Sequence, residues 1–132
     1  TTKLFATTAI SVSAVDSLGK QLRLTKAAVA DVVSLTDATS ITVDLDSGQN
    51  FDVVLGGNRT LVNPTNVQKG QTGSFFIRQD GTGSRTLAYG GNYKFVGGTA
   101  PTLTTTASAV DRIDYIVFSS SSVHMQASLN VS

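Results

Sequence analysis

The side chains able to do chemistry in this chain are few, and their spacing argues against catalysis. His124 is the single histidine. A nucleophilic triad needs a histidine held by a carboxylate beside its nucleophile. His124 instead falls in the polar register of an alternating run, Val123 to Ser132, among many serines. All nine acidic residues are Asp, and there is no Cys. A thiolate or mixed Cys/His metal centre is therefore excluded, and no cofactor is expected. Asp44-Leu45-Asp46-Ser47-Gly48 opens like a calcium loop, but no Glu follows to close it; it is read as a solvated turn rim. Asp111 and Asp114 are three apart, which on a strand sends them to opposite faces. Arg112 and Asp114 share a face and are expected to pair. Asp80-Gly81-Thr82-Gly83-Ser84 lacks the Gly-Lys-Ser/Thr ending of a phosphate loop and leads into a strand pattern, so it is read as a turn.

The motif Gly-x-Arg-Thr-Leu occurs twice, at Gly57–Leu61 and Gly83–Leu87. Each copy follows an aromatic-aliphatic run and a glycine turn. A guanidinium so placed can cap turn carbonyls or clamp a carboxylate. Arg59 and Arg85 are therefore expected to be turn clamps, with Asp52 and Asp80 as partners. The competing use is a contact site. Arg85 with Tyr89, Tyr93 and Phe95, in or beside a glycine-rich loop, has the residue types of a carbohydrate site. Packing of those rings at a sheet edge is the preferred reading.

The elements that must position these residues are strands. Ser, Thr, Gly and Asp are abundant and Glu is absent, a composition that favours strands and turns over helices. Strict alternation from Val123 to Ser132 predicts a half-buried strand, paired with Arg112–Ser119 through a turn at Ser119–Ser122. Within that partner, Ile116 and Phe118 lie opposite Ile113, Tyr115 and Val117, which predicts a far end buried on both faces. Ile41–Asp46 and Phe51–Leu55 read as a second hairpin around Ser47-Gly48-Gln49-Asn50. Thr72–Gln79 reads as a core strand returning through Asp80–Gly83 into Arg85–Leu87. Asn92–Phe95 and Thr102–Thr106 read as short strands. Residues 25–33 are ambiguous between helix and strand. The expected fold is all-β: an antiparallel, jelly-roll-like β-sandwich or a small barrel at 29–132, with an N-terminal arm at 1–28.

At 132 residues and a formal charge of +1, one domain is expected, without the clustered basic residues of a nucleic-acid binder. No run of about 18 apolar residues marks a membrane span. Thr1–Ala6 lacks the apolar core of a signal peptide and has the look of a start exposed by loss of an initiator Met.

From Val33 onward the chain resembles a domain found in virion structural proteins of tailed bacteriophages. The residues that carry this are Leu55–Leu61, Asn63-Pro64-Thr65-Asn66, Gly70-Gln71-Thr72-Gly73, Gln79–Leu87, Tyr89-Gly90, Asn92–Phe95, Gly97–Thr104 and Asp111–Tyr115. The resemblance implies a β-rich module of a head decoration protein, a head fibre or a tail fibre. The short length and brief arm lean towards a capsid decoration (cement) protein on the virion surface. Its expected partners are the major capsid protein and copies of itself in a homotrimer, with no nucleic acid and no membrane. The arm, through Leu4, Phe5, Ile10 and Val12, would supply partner contacts by strand addition. A fibre module binding host glycan through Arg85, Tyr89, Tyr93 and Phe95 is the alternative.

Overall fold

The structure, a computed structural model, describes residues 25–131. Leu4, Phe5, Ile10 and Val12, and most of the arm 1–28, lie outside the described residues. Residues 25–31 carry no regular structure, and the domain is β-rich from there on.

Nine strands form two sheets. They are β1 (Val32–Ser34), β2 (Ser40–Ile41), β3 (Asn50–Leu55), β4 (Arg59–Leu61), β5 (Thr72–Gln79), β6 (Leu87–Tyr89), β7 (Tyr93–Phe95), β8 (Val110–Ser119) and β9 (Ser122–Ser128). A single 3-10 turn, Val96–Gly98, is the one helical element among the described residues. The large sheet runs β1-β3-β5-β8-β9-β7 and the small one β2-β4-β6.

The chain alternates between the sheets, and β1, β3 and β5 lie parallel to one another, as do β2, β4 and β6. This is a parallel winding: each turn leaves one strand in each sheet. Val33, Phe51 and Phe75 therefore stack in register, as do Ile41, Leu61 and Tyr89. An isolated parallel bridge, Asp44 to Thr65, links successive turns beyond the small sheet. The winding then breaks. After β6 the chain enters β7, which pairs not with β5 but with β9, and the hairpin β8–β9 fills the gap.

The C-terminal hairpin and the strand Thr72–Gln79 stand where the alternation puts them. The wholly antiparallel arrangement is corrected: the large sheet is mixed and the small sheet is parallel. Ser47–Asn50 does not close a hairpin. It turns the chain back to the large sheet, where β3 pairs with β1 and β5. Likewise Asp80–Gly83 carries the chain from β5 to the other sheet. Thr102–Thr106 is not a strand, and the last strand stops at Ser128, leaving Leu129 and Val131 exposed.

Inward residues of both sheets build one core. Ile41, Leu61 and Leu87 come from the small sheet; Phe51, Val53, Leu55, Phe75, Ile77, Ile113, Tyr115, Val117, Val123 and Met125 come from the large one. Phe51 and Phe75 stack with centroids 5.2 Å apart, and Tyr115 lies 5.2 Å from Phe75 on its other neighbour strand. Fully burying one such ring is worth about 1.5–3 kcal/mol.

Candidate functional site

The polar side chains singled out from the sequence act mainly on the chain's own turns. Arg59, at the start of β4, donates through Nε and Nη2 to both oxygens of Asp37 at 2.8 and 2.7 Å. Asp37 lies in the loop of the preceding turn of the winding, so this bidentate pair ties two turns together. It also holds the Asp37 carboxyl below its usual range, with the Arg59 hydrogen bond as the main cause. The expected partner, Asp52, is taken by Arg78 at 2.7 and 2.6 Å.

Arg85 does clamp Asp80, with Nε and Nη2 donating to Oδ2 at 3.0 and 2.7 Å. The other oxygen of Asp80 accepts from the backbone N–H of Thr82 and Gly83, both at 2.9 Å. Arg85 first, and those turn amides next, pull the Asp80 carboxyl down to about 2. Gly83 has φ +77, and an added Cβ would meet the Thr105 carbonyl at 2.5 Å, so this turn requires glycine. The two Gly-x-Arg-Thr-Leu copies are not equivalent in the winding. Arg59 pairs beside Leu87, which sets the copies two residues out of step.

Five further side chains serve backbone groups. Gln71 donates to the carbonyls of Leu45 and Gly48 at 2.8 and 2.9 Å. The buried Gln79 accepts from the Arg85 N–H and donates to its carbonyl, at 2.8 and 3.0 Å. Asn58 and Asn63 accept from the N–H groups of Thr86 and Asn92. Asp111 faces inward, 2% exposed, and accepts from Thr104 N–H, Thr104 Oγ1 and Asn130 N–H, each at 2.7 Å. Asp114 points outward to Arg112, whose Nε lies 3.0 Å from Oδ1. Only Nη2, at 3.2 Å from Oδ2, makes a hydrogen bond there, and Nε has none.

Asp44 is bound up in its own turn. Its Oδ1 accepts from Asp46 N–H at 3.0 Å and from Asn66 Nδ2 at 2.8 Å, and these bonds lower its pKa. No cluster of three or more potential metal ligands occurs among the described residues.

The aromatic set falls into two parts. Tyr93 is 5% exposed and donates its hydroxyl to the Val62 carbonyl at 3.1 Å, so its ring belongs to the core rather than to a contact surface. Tyr89 and Phe95 are half-buried and meet edge-on at 4.8 Å. With Leu87, Ala88, Lys94, Gly98, Ala100 and part of Tyr93 they line a cleft of about 510 Å³. Burial raises the pKa of both Tyr89 and Tyr93. The Tyr89 hydroxyl is buried without a hydrogen-bond partner. Arg85 is held by Asp80 and does not line this cleft.

The sequence reading missed the outer face of the large sheet. Strand alternation places Lys94, His124, Ile116 and Thr72 side by side in one outward row across β7, β9, β8 and β5. Ile116 and Phe118 were expected to be covered. They are 49% and 61% exposed, because no element among the described residues lies over them. The ring of Phe118 stacks on His124 at 5.4 Å, and Lys69 Nζ stands 6.0 Å from the Phe118 centroid. The break in alternation at Ile116 and Phe118, apolar residues on a face otherwise carrying Arg112 and Asp114, was the available signal.

Comparison with known proteins gives no match to this chain among family models, curated proteins or solved structures.

Proposed function

We propose that this chain is a non-enzymatic structural protein of a tailed-phage virion, a decoration protein that binds the major capsid protein on the head surface. The observation that carries this reading is how the polar side chains are used. Asp37, Asp52, Asp80 and Asp114 are each bound to an arginine, and Asp111 to turn donors, so these carboxylates hold the fold together. A robust scaffold with its chemistry spent on turns suits a cementing role. The resemblance over residues 33–132 supplies the phage context. In this reading the two sheets, sharing one core, form a small β-sandwich rather than a barrel. The protein works as a homotrimer, with residues 1–28 as an arm reaching a capsid subunit.

Immunogold electron microscopy with antibodies to this chain tests the location. Gold on heads, and loss of head binding on deletion of residues 1–28, are the expected results. Gold confined to tails refutes the decoration reading. The fibre alternative draws on one observation, the cleft beside Tyr89 and Phe95, which has room for a sugar ring and an aromatic wall. A glycan array is its direct test. Binding that survives Tyr89→Ala counts against that cleft.

A further inference from the structure

We propose that the outer face of β8, β9 and β7 is a docking surface for a protein segment that carries carboxylates beside an apolar side chain. The inference names a partner chemistry and rests on the structural-protein reading above.

The outer face of the large sheet divides into two halves. Over β3, β5 and the start of β8 the charges cancel locally: Arg78 is bound to Asp52, and Arg112 to Asp114, with Ser74 donating to Asp114 at 2.7 Å. Over the far end of β8 and across β9 and β7 the pattern changes. Ile116 and Phe118 are exposed, Val96 beside them is 79% exposed, and the cations Lys69 and Lys94 stand at the two sides. Neither lysine takes part in any ion pair among the described residues, whereas Arg59, Arg78, Arg85 and Arg112 each do.

The relief of the surface fits the same occupant. His124 sits in the middle of the outward row, with a depression on either side. One, of about 350 Å³, is walled by Lys69, Ile116 and Phe118. The other, of about 330 Å³, is walled by Val96, Ile116, Gln126 and Asp114, whose carboxylate is already bound to Arg112 and Ser74. Each has room for an apolar side chain. A segment that inserts such side chains, with carboxylates directed to Lys69 and Lys94, buries apolar surface and gives both cations a counter-charge. An arginine- or lysine-bearing segment would meet like charge at both sides. Phe118 stacks on His124 with Lys69 Nζ 6.0 Å from its centroid, so an apolar side chain beside the ring and a carboxylate at Lys69 can be supplied together by one protein segment.

The test uses the full chain and fluorescent peptides alternating Asp or Glu with Leu or Phe, against counterparts in which Lys replaces the acids. Anisotropy is read at low and high salt. The acidic peptides should bind at least about tenfold tighter than the basic ones and weaken with salt. Lys69→Glu with Lys94→Glu should invert the preference, and Phe118→Ser with Ile116→Ser should abolish binding while circular dichroism stays unchanged. NMR shift changes should map to Ile116, Phe118 and His124. Binding insensitive to these substitutions overturns the proposal, as does no binding at all. Preference for an oligogalacturonate over the acidic peptides also overturns it and assigns the face to acidic glycans. Failure here with gold on heads leaves the virion reading intact. Peptide binding with no gold on particles refutes only the latter.

Discussion

Asp111→Asn should destabilise this protein by about 2–4 kcal/mol, although it changes neither the shape nor the volume of the side chain. The carboxylate is 2% exposed and accepts three hydrogen bonds of 2.7 Å, two at Oδ1 from Thr104 Oγ1 and Asn130 N–H and one at Oδ2 from Thr104 N–H. An amide offers one acceptor oxygen. If that oxygen takes the Oδ1 position, the NH2 faces the Thr104 N–H and orphans it. If it takes the Oδ2 position, the NH2 faces the Asn130 N–H. Either way one part-buried backbone donor loses its partner, at up to about 1–3 kcal/mol, and the surviving bonds lose the strength of a charged acceptor. Relief from burying a charge offsets part of this. Asp111→Ala removes every acceptor and should cost about 3–5 kcal/mol. Urea unfolding followed by circular dichroism measures both, since the chain has no Trp. An unchanged m-value with the Asn variant within about 0.5 kcal/mol of wild type would refute the assignment of Asp111 as the anchor of β8 to the Thr104 loop and to the chain after β9.

Gly73→Ala should cost about 2–4 kcal/mol in the same assay, because the new Cβ would overlap the Gln49 carbonyl, which also accepts the Tyr115 hydroxyl at 2.9 Å; a neutral result would mean that this close approach of β5 to the Gln49 turn is absent. Asp80 contributes to acid stability with a definite sign. Its folded pKa of about 2 lies below the ordinary 3.8, so its stabilisation is complete above about 3.8 and is lost as pH falls towards 2. Asp80→Asn should flatten the stability profile in that window, as read from urea midpoints. The chain has three tyrosines, and burial raises the pKa of each, Tyr115 to about 12. The folded protein should therefore resist phenolate formation well above the ordinary value of 10, while urea-unfolded chains titrate there. Because the shifts are upward, this contribution is present below 10 and is lost as pH rises through the folded values. A normal titration of native protein by ultraviolet absorption would show that the rings are not buried.

What the sequence made legible was local. The β8–β9 hairpin could be read because alternation and a four-serine turn both lie within one short stretch, and antiparallel pairing follows directly from a tight turn. Asp111 and Asp114 could be separated because period two fixes their faces. The Asp80–Arg85 clamp spans one turn and was also within reach. The Asp37–Arg59 clamp crosses from one turn of the winding to the next, and no local spacing encodes it. The parallel pairings of β1, β3 and β5 were hidden for the same reason. Phe51 and Phe75 are neighbours only after an excursion through the other sheet, and the turn signals between them mark a corner just as well as a hairpin. The repeated Gly-x-Arg-Thr-Leu suggested a repeated position, but the ladder sets the copies two residues apart and gives each arginine a different carboxylate.

The outward apolar residues follow from the break in the winding. A small sheet of three strands faces a large sheet of six, and strands in each are spaced about 4.8 Å apart, so the small sheet spans about half the width of the large one. The excess width comes from β8, β9 and β7, added after the regular alternation ends. On their inner side Val117, Val123 and Met125 belong to the same core as Leu103, and Tyr89 and Phe95 pack against that core. On their outer side the described chain supplies no cover, yet the row that carries Thr72 on β5 carries Ile116 on β8, and Phe118 lies beyond the end of that ladder. The strands that depart from the winding are thus also those whose outer face departs from polar alternation. A hairpin selected only to cap the core would carry polar residues there at no cost to stability. Apolar side chains flanked by Lys69 and Lys94 are what the proposed acidic, apolar segment would cover on the far side of the sheet.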